Sequence, residues 1–218
     1  MQALHASGYD GRVNGIACLA ENMPGSGSYR PGDVFKTYSG KTVEVYSTDA
    51  EGRNVLADGL WKAGEFDPEY IVDLATLTGA IVVALGNQIT GMWSNDELLA
   101  GRLERSAKAC GEPMWRMPLN DQFRRYMTDT PFADIRNGSS GGRAGSSNGA
   151  AAFLEFFVPT RNYEEDADKL PWVHLDIAGT AWGPGSKAGT ERENPFFKHG
   201  TSGVHVRTLY HLITQNHE

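Results

Sequence analysis

The chain has 218 residues, of which 40% are hydrophobic and 22% charged, with a formal net charge of −7 at neutral pH. That length supports one sizeable domain with a real core, and the acidic balance argues against a general nucleic-acid-binding surface. There is no apolar run of about 18 residues, the length a membrane-crossing helix needs, and no basic-then-apolar leader is read at Met1. Cys18 and Cys110 form neither a disulfide framework nor a zinc-binding spacing. They read as free thiols in a reducing compartment, so the expected location is the cytoplasm.

In chain order, Val13 to Leu19 reads as a strand, followed by a turn-rich loop through Pro24, Gly25, Gly27, Pro31 and Gly32. Val34 to Thr37 and Lys41 to Tyr46 read as short strands joined around Ser39-Gly40 as a hairpin. Asn54 to Gly64 reads as a helix with Val55, Leu56 and Leu60 on one face. Ile71 to Leu74 is a short buried strand, and Ile81 to Leu85 an apolar run that fits either type. Asn95 to Gly111 is a helix with Ser94 or Asn95 as cap, Asp96 and Glu97 in the first turn, Lys108 in the last and Gly111 as stop. A helix from Asp121 to Met127 lies between short strands at Met114 to Pro118 and Phe132 to Ile135. Ala150 to Val158 is an apolar helix ended by Pro159, and Asn162 to Lys169 an acidic surface loop. Trp172 to Ile177 is a strand; after a glycine-rich loop from Gly179 to Gly203, an amphipathic helix from Val204 to Thr214 closes the chain. The alternation of strands and helices predicts an α/β fold: a layered domain with a central, mainly parallel or mixed sheet flanked by helices.

The most informative stretch is Ser47-Thr48-Asp49-Ala50-Glu51-Gly52-Arg53, between a strand-like and a helix-like run. On an extended backbone Asp49 and Glu51, two apart, point to the same side. Two converging carboxylates repel unless a cation lies between them, and a divalent metal is the usual solution. Arg53 adds a permanent cation with a flat fork of donors suited to a carboxylate, bicarbonate or oxyanion. A plainer reading stays open on spacing alone, because acidic residues also favour the electropositive start of any helix.

This heptapeptide, continued by Val55-Leu56-Ala57-Asp58-Gly59-Leu60, resembles the signature of the leucyl aminopeptidase (cytosol aminopeptidase) family. The likeness extends to Leu19-Ala20-Glu21-Asn22-Met23-Pro24 with Tyr29 to Val34, to Ser39 to Val45, and to Asp73 to Ala80. It continues through Trp115 to Leu119 and Trp172 to Thr180, in the same order. The resemblance implies that residues 1–218 are the C-terminal portion of that catalytic domain, an incomplete one. A metal-binding lysine, two further metal-binding aspartates and a catalytic lysine of the family would lie before Met1. It also implies two divalent ions, zinc or manganese, held partly by Asp49 and Glu51, with Arg53 as a catalytic residue holding bicarbonate. Thr76, Leu77, Thr78, Gly79 and Ala178 would bind substrate: the backbone around Leu77 and Thr78 the peptide group, Thr76 and Ala178 the first side chain. The implied partners are peptides with a free N-terminus and further copies of the chain in a hexamer. One departure is Ser47, where the family usually has asparagine; a hydroxyl lacks the amide's paired donor and acceptor, so a slightly shifted loop is expected.

The glycine-rich stretch Asn137 to Gly149 lacks the Gly-Lys-Ser/Thr ending of a phosphate loop and reads as a loop leading into the next helix, near the site's rim by resemblance. The six histidines, His5, His174, His199, His205, His211 and His217, lack ligand spacing and read as surface or structural residues, with His174 a core histidine. Two other roles are weighed: a truncated, catalytically inactive subunit that keeps assembly contacts, and the DNA-binding accessory role of some bacterial relatives, against which the acidic balance speaks.

Overall fold

The computed structural model describes residues 1–164, 166–182 and 200–215. The observed elements are helix α1 (Gln2–Ala6), strands β1 (Val34–Lys36) and β2 (Thr42–Glu44), helix α2 (Glu51–Gly64), strand β3 (Ile71–Ala75), helix α3 (Gly79–Leu85) and strand β4 (Thr90–Ser94). They continue with α4 (Glu97–Cys110), β5 (Met114–Arg116), α5 (Asp121–Thr128), β6 (Ile135–Arg136), α6 (Ser146–Phe156), β7 (Trp172–Asp176) and α7 (Val206–Thr214). Short 3-10 turns stand at Thr48–Ala50 and Arg161–Tyr163. The fold is α/β, as expected, but with two mixed sheets, ordered β1-β2-β6 and β3-β7-β4-β5, in place of a single central one.

The chain divides into two compact units: Met1–Gly15, Leu74–Met117 and Val173–Glu218 form the first, and Ile16–Asp73 with Pro118–Trp172 the second. In the second unit β1 and β2 make the expected antiparallel hairpin, with Phe35 opposite Val43. β6 then adds in parallel, Val43 beside Ile135. Asp134 sets this register, its Oδ2 accepting from Thr42 N and Thr42 Oγ1 at 2.8 Å each. Helix α6 packs against α2 and α5. It is buried from Ser147 through Glu155, which its run of small residues and Phe153 allows. Its one acid, Glu155, is paired: Arg124 on α5 donates Nε and Nη2 to it at 2.7 and 2.9 Å, a bidentate bond that makes the burial tolerable. The helix starts earlier than its apolar run because Gly145, at φ 61°, takes the left-handed turn before it.

In the first unit β4 pairs in parallel with β5 and antiparallel with β7. Both β4 and β7 are buried at every position, which explains why their side chains do not alternate in polarity. Strand β4 lay outside the sequence reading for that reason. Helix α4 buries Leu99, Ala100, Leu103, Ser106 and Ala107, the spacing of one helix face. Its cap is Asp96, not Ser94 or Asn95: the Asp96 carboxylate accepts from Leu99 N at 2.7 Å, three residues in, where an N-cap side chain reaches. Gly111 ends it at φ 66° as read.

Three further expectations change. Val13 to Leu19 pairs with no strand among the described residues, and Leu19 is 86% exposed: an apolar run without a partner edge stays loop. The strand expected at Phe132 to Ile135 shifts to Ile135–Arg136, because Asp134 is committed to Thr42 and Phe132 is exposed. The apolar run at Ile81 is helical, capped by Thr78 Oγ1, which accepts from Ile81 N at 3.3 Å. Much of the Gly179 to Gly203 loop, with His199 and His217, lies outside the described residues.

The two bonds from Thr42, backbone first, hold the Asp134 carboxyl below its ordinary range. A carboxyl whose pKa is lower folded than unfolded contributes stability above about pH 4 and loses it as pH falls through the folded value. Asp134→Ala is therefore expected to lower the melting temperature at pH 7, with the gap to the wild type closing below about pH 4. Melts between pH 7 and pH 3 check this; a gap that stays constant counts against it.

Candidate functional site

Asp49, Glu51 and Arg53 lie in the second unit; Thr76, Leu77, Thr78, Gly79 and Ala178 lie in the first. Each group is assembled by a buried polar side chain that spacing alone did not single out.

The stretch carrying Asp49 and Glu51 is not extended. Asp49 stands in the 3-10 turn at φ −85°, ψ 16°, and Glu51 is the first residue of α2. The two carboxylates still converge, because Asn22 reaches between them: its Nδ2 donates to Asp49 Oδ1 at 3.4 Å and to Glu51 Oε1 at 3.0 Å. Glu51 Oε2 is buried and has no hydrogen-bond partner. A buried carboxylate oxygen in that condition is costly, and a divalent cation among hard oxygen donors is one group that would satisfy it. These two side chains fit part of such an ion's shell, which takes about four ligands or more. No group of three or more His, Cys, Asp or Glu able to hold a metal occurs among the described residues. Tyr29 lines this corner, donating to Thr48 O at 3.3 Å and accepting from Asn54 Nδ2 at 3.4 Å. Burial pushes its phenol up, and the charges of Glu51 and Asp49 add to that.

Behind the pair sits Asn137, fully buried, the first residue of the glycine-rich stretch. Its Oδ1 accepts from Tyr46 N at 2.8 Å and Ser47 N at 3.0 Å, and its Nδ2 donates to Ser47 O at 2.9 Å. Arg53 Nη1 donates to its carbonyl at 2.9 Å. Ser47 is thus held through its backbone.

In the first unit the corresponding residue is Asp176, at the end of β7 and 1% exposed. Its Oδ1 accepts from Leu77 N at 3.0 Å, Thr78 N at 3.4 Å and Ala178 N at 3.2 Å, and its Oδ2 accepts from Thr78 Oγ1 at 2.6 Å. This brings the two segments expected to bind substrate onto one carboxylate. Thr76 and Gly79 are exposed, Leu77 and Ala178 half-buried. Gly179 is a close approach: a Cβ there would lie 2.3 Å from Gly86 O.

The model of the cytosol aminopeptidase family catalytic domain matches residues 1–210. The chain belongs to the cytosol aminopeptidase family. It is 46% identical over 211 residues to a probable cytosol aminopeptidase of Afipia carboxidovorans, covering 95% of this chain and 38% of that one. It is 44% identical over 219 residues to one of a Chelativorans species, covering 100% and 40%. With one of Cenarchaeum symbiosum it shares 46% identity over 199 residues, covering 90% and 38%. The chain therefore spans about two fifths of the length of these relatives. Asn22, Asn137 and Asp176 escaped the sequence reading as site residues, although Asn22 and Asp176 lie inside blocks that carry the family likeness. The signal was the block; the pairing across 27 to 99 positions is tertiary.

Asp176→Ala would strand three N–H groups and a hydroxyl in a buried place, and it is expected to cost about 3 kcal/mol or more. Thr78→Val, which removes one of those bonds and also the side-chain cap of α3, is expected to cost about 2 kcal/mol. Gly179→Ala is expected to cost about 2 kcal/mol or more, since the neighbour in the way is backbone. Denaturant melts of the three variants check both the order and the sizes.

Proposed function

We propose that the protein acts as a metal-dependent aminopeptidase that releases single residues, leucine-like by preference, from peptides with a free N-terminus. The observation that carries this is the carboxylate pair: Asp49 and Glu51 converge on one amide while Glu51 Oε2 stays buried without a partner. Divalent ions, zinc or manganese, would supply Lewis acidity and a more acidic bound water. Asp49 and Glu51 would hold them in part, further ligands coming from outside the pair. Arg53, a permanent cation fixed by Asn137 O, would hold bicarbonate. The backbone around Leu77 and Thr78 would orient the peptide group, with Thr76 and Ala178 beside the substrate's first side chain and Gly79 among the substrate-binding residues. A site that requires a free α-amine, held beside Asp49 and Glu51, would account for removal of one residue at a time.

The proposal includes a cytoplasmic setting, supported by the relatives' names and by the free thiols of Cys18 and Cys110. It also includes a homo-oligomer, a hexamer. No helix among the described residues is long and apolar enough to cross a membrane. A second reading, a non-catalytic chain that keeps assembly contacts, is favoured by the absence of a three-ligand cluster among the described residues.

The deciding experiment is hydrolysis of a leucyl anilide with added manganese or zinc, beside Glu51→Ala. Metal-dependent turnover, reduced about 100-fold or more in the variant, is the expected outcome. Turnover that persists in Glu51→Ala, or in chelator, overturns the assignment. Absence of turnover at any metal concentration favours the second reading.

A further inference from the structure

Strand β2 ends at Glu44; Val45 still donates to Asp33 O at 2.8 Å and accepts from Gly32 N at 2.7 Å, and beyond it Tyr46 N, Ser47 N and Ser47 O are taken by a side chain in place of a strand. Backbone groups that leave a ladder need other partners, and the same stretch leads within a few residues to both carboxylates and the guanidinium. Asn137 resolves this with each of its four polar groups. Its N–H donates to Glu44 O at 3.0 Å, extending the β2–β6 ladder by one bond. Its amide oxygen takes the N–H groups of Tyr46 and Ser47, its amide nitrogen serves Ser47 O, and its carbonyl takes Arg53 Nη1. The residue is 0% exposed, so water does not compete for these bonds. Its neighbours close the arrangement: the Tyr46 ring lies where a Cβ on Gly138 would be, 2.3 Å from its Cδ1, and the Arg136 guanidinium stacks 4.1 Å from the centre of the same ring.

We infer that Asn137 is the positioning residue of the site, fixing where Asp49, Glu51 and Arg53 point. The inference rests on the proposed function for what those three side chains do, and on geometry for how they are held. The requirement is specific: two acceptances and one donation, in one plane, from a side chain reaching one backbone. Among side chains an amide of this length meets it. A carboxylate would set an oxygen against Ser47 O, and serine is too short to serve both sides. It also gives the glycine-rich stretch a role: it presents Asn137 and, through Gly138, leaves room for the Tyr46 ring.

The test compares Asn137→Asp and Asn137→Ser with Asp134→Ala, which weakens the same strand pair from its other end without touching residues 46–53. Amide hydrogen exchange is measured at residues 48–53 and in α6 of the metal-free full chain. Manganese affinity is measured by calorimetry on the same proteins. Exchange at 48–53 is expected to rise tenfold or more relative to α6 in both Asn137 variants and not in Asp134→Ala. Manganese affinity is expected to drop at least tenfold in the Asn137 variants alone. Exchange that rises equally in both regions, or an affinity loss that merely follows melting temperature across all variants, overturns the inference. A wild-type chain that binds no manganese counts against the metal reading in the proposed function, while the exchange result still decides whether Asn137 positions the loop.

Discussion

Two carboxylates brought to one point repel, and the second unit is arranged around that constraint. Asp49 and Glu51 converge because the chain turns through a 3-10 step into α2, and the Asn22 amide stands between them as a weakly positive group. A turn of this kind has no ladder to hold it. The restraint comes from the buried Asn137 side chain, 84 to 91 positions away in sequence, and from the strand pair that places it. The register between β2 and β6 therefore reaches the candidate site: a one-residue slip would move Asn137 to the other face.

The first unit solves a similar problem with a charge in place of an amide. At the end of β7, Asp176 gathers the N–H groups of two loops, after β3 and after β7 itself. A buried carboxylate is tolerable when its oxygens are supplied with donors, and here four bonds meet it. The same use of buried polar groups recurs away from the site. Thr90, Thr180 and His205, all fully buried, are linked by Thr90 Oγ1, 2.8 Å from both Thr180 Oγ1 and His205 Nε2. In each case burial of the side chain makes its hydrogen bonds hard to give up.

Membership of the cytosol aminopeptidase family and the chain's own geometry meet at Glu51. The proposed function would set a metal against it; independently, one of its oxygens is buried with no partner. Neither a helix cap nor an ordinary ion pair accounts for an oxygen in that condition, which is why the carboxylate pair carries the functional reading.

What was legible in the sequence was local. Helix α4 follows from its one-face spacing and from Gly111; the β1–β2 hairpin follows from Ser39-Gly40; the acidic pair and Arg53 stand out because they lie within five residues. The family itself was legible, since ordered blocks survive in one dimension. What tertiary structure decided depends on burial at both faces or on distant partners. Strand β4 is buried all round and so carries no alternation, Val13 to Leu19 has strand-like residues but no edge to pair with, and the α4 cap goes to whichever acid the backbone turn presents to Leu99. Asn137 and Asp176 look ordinary in the chain because an amide or a carboxylate acquires its role from the groups folded around it. Sequence singled out the candidate groups; the fold chose which polar residues hold them, because hydrogen bonds between distant segments leave no periodic trace.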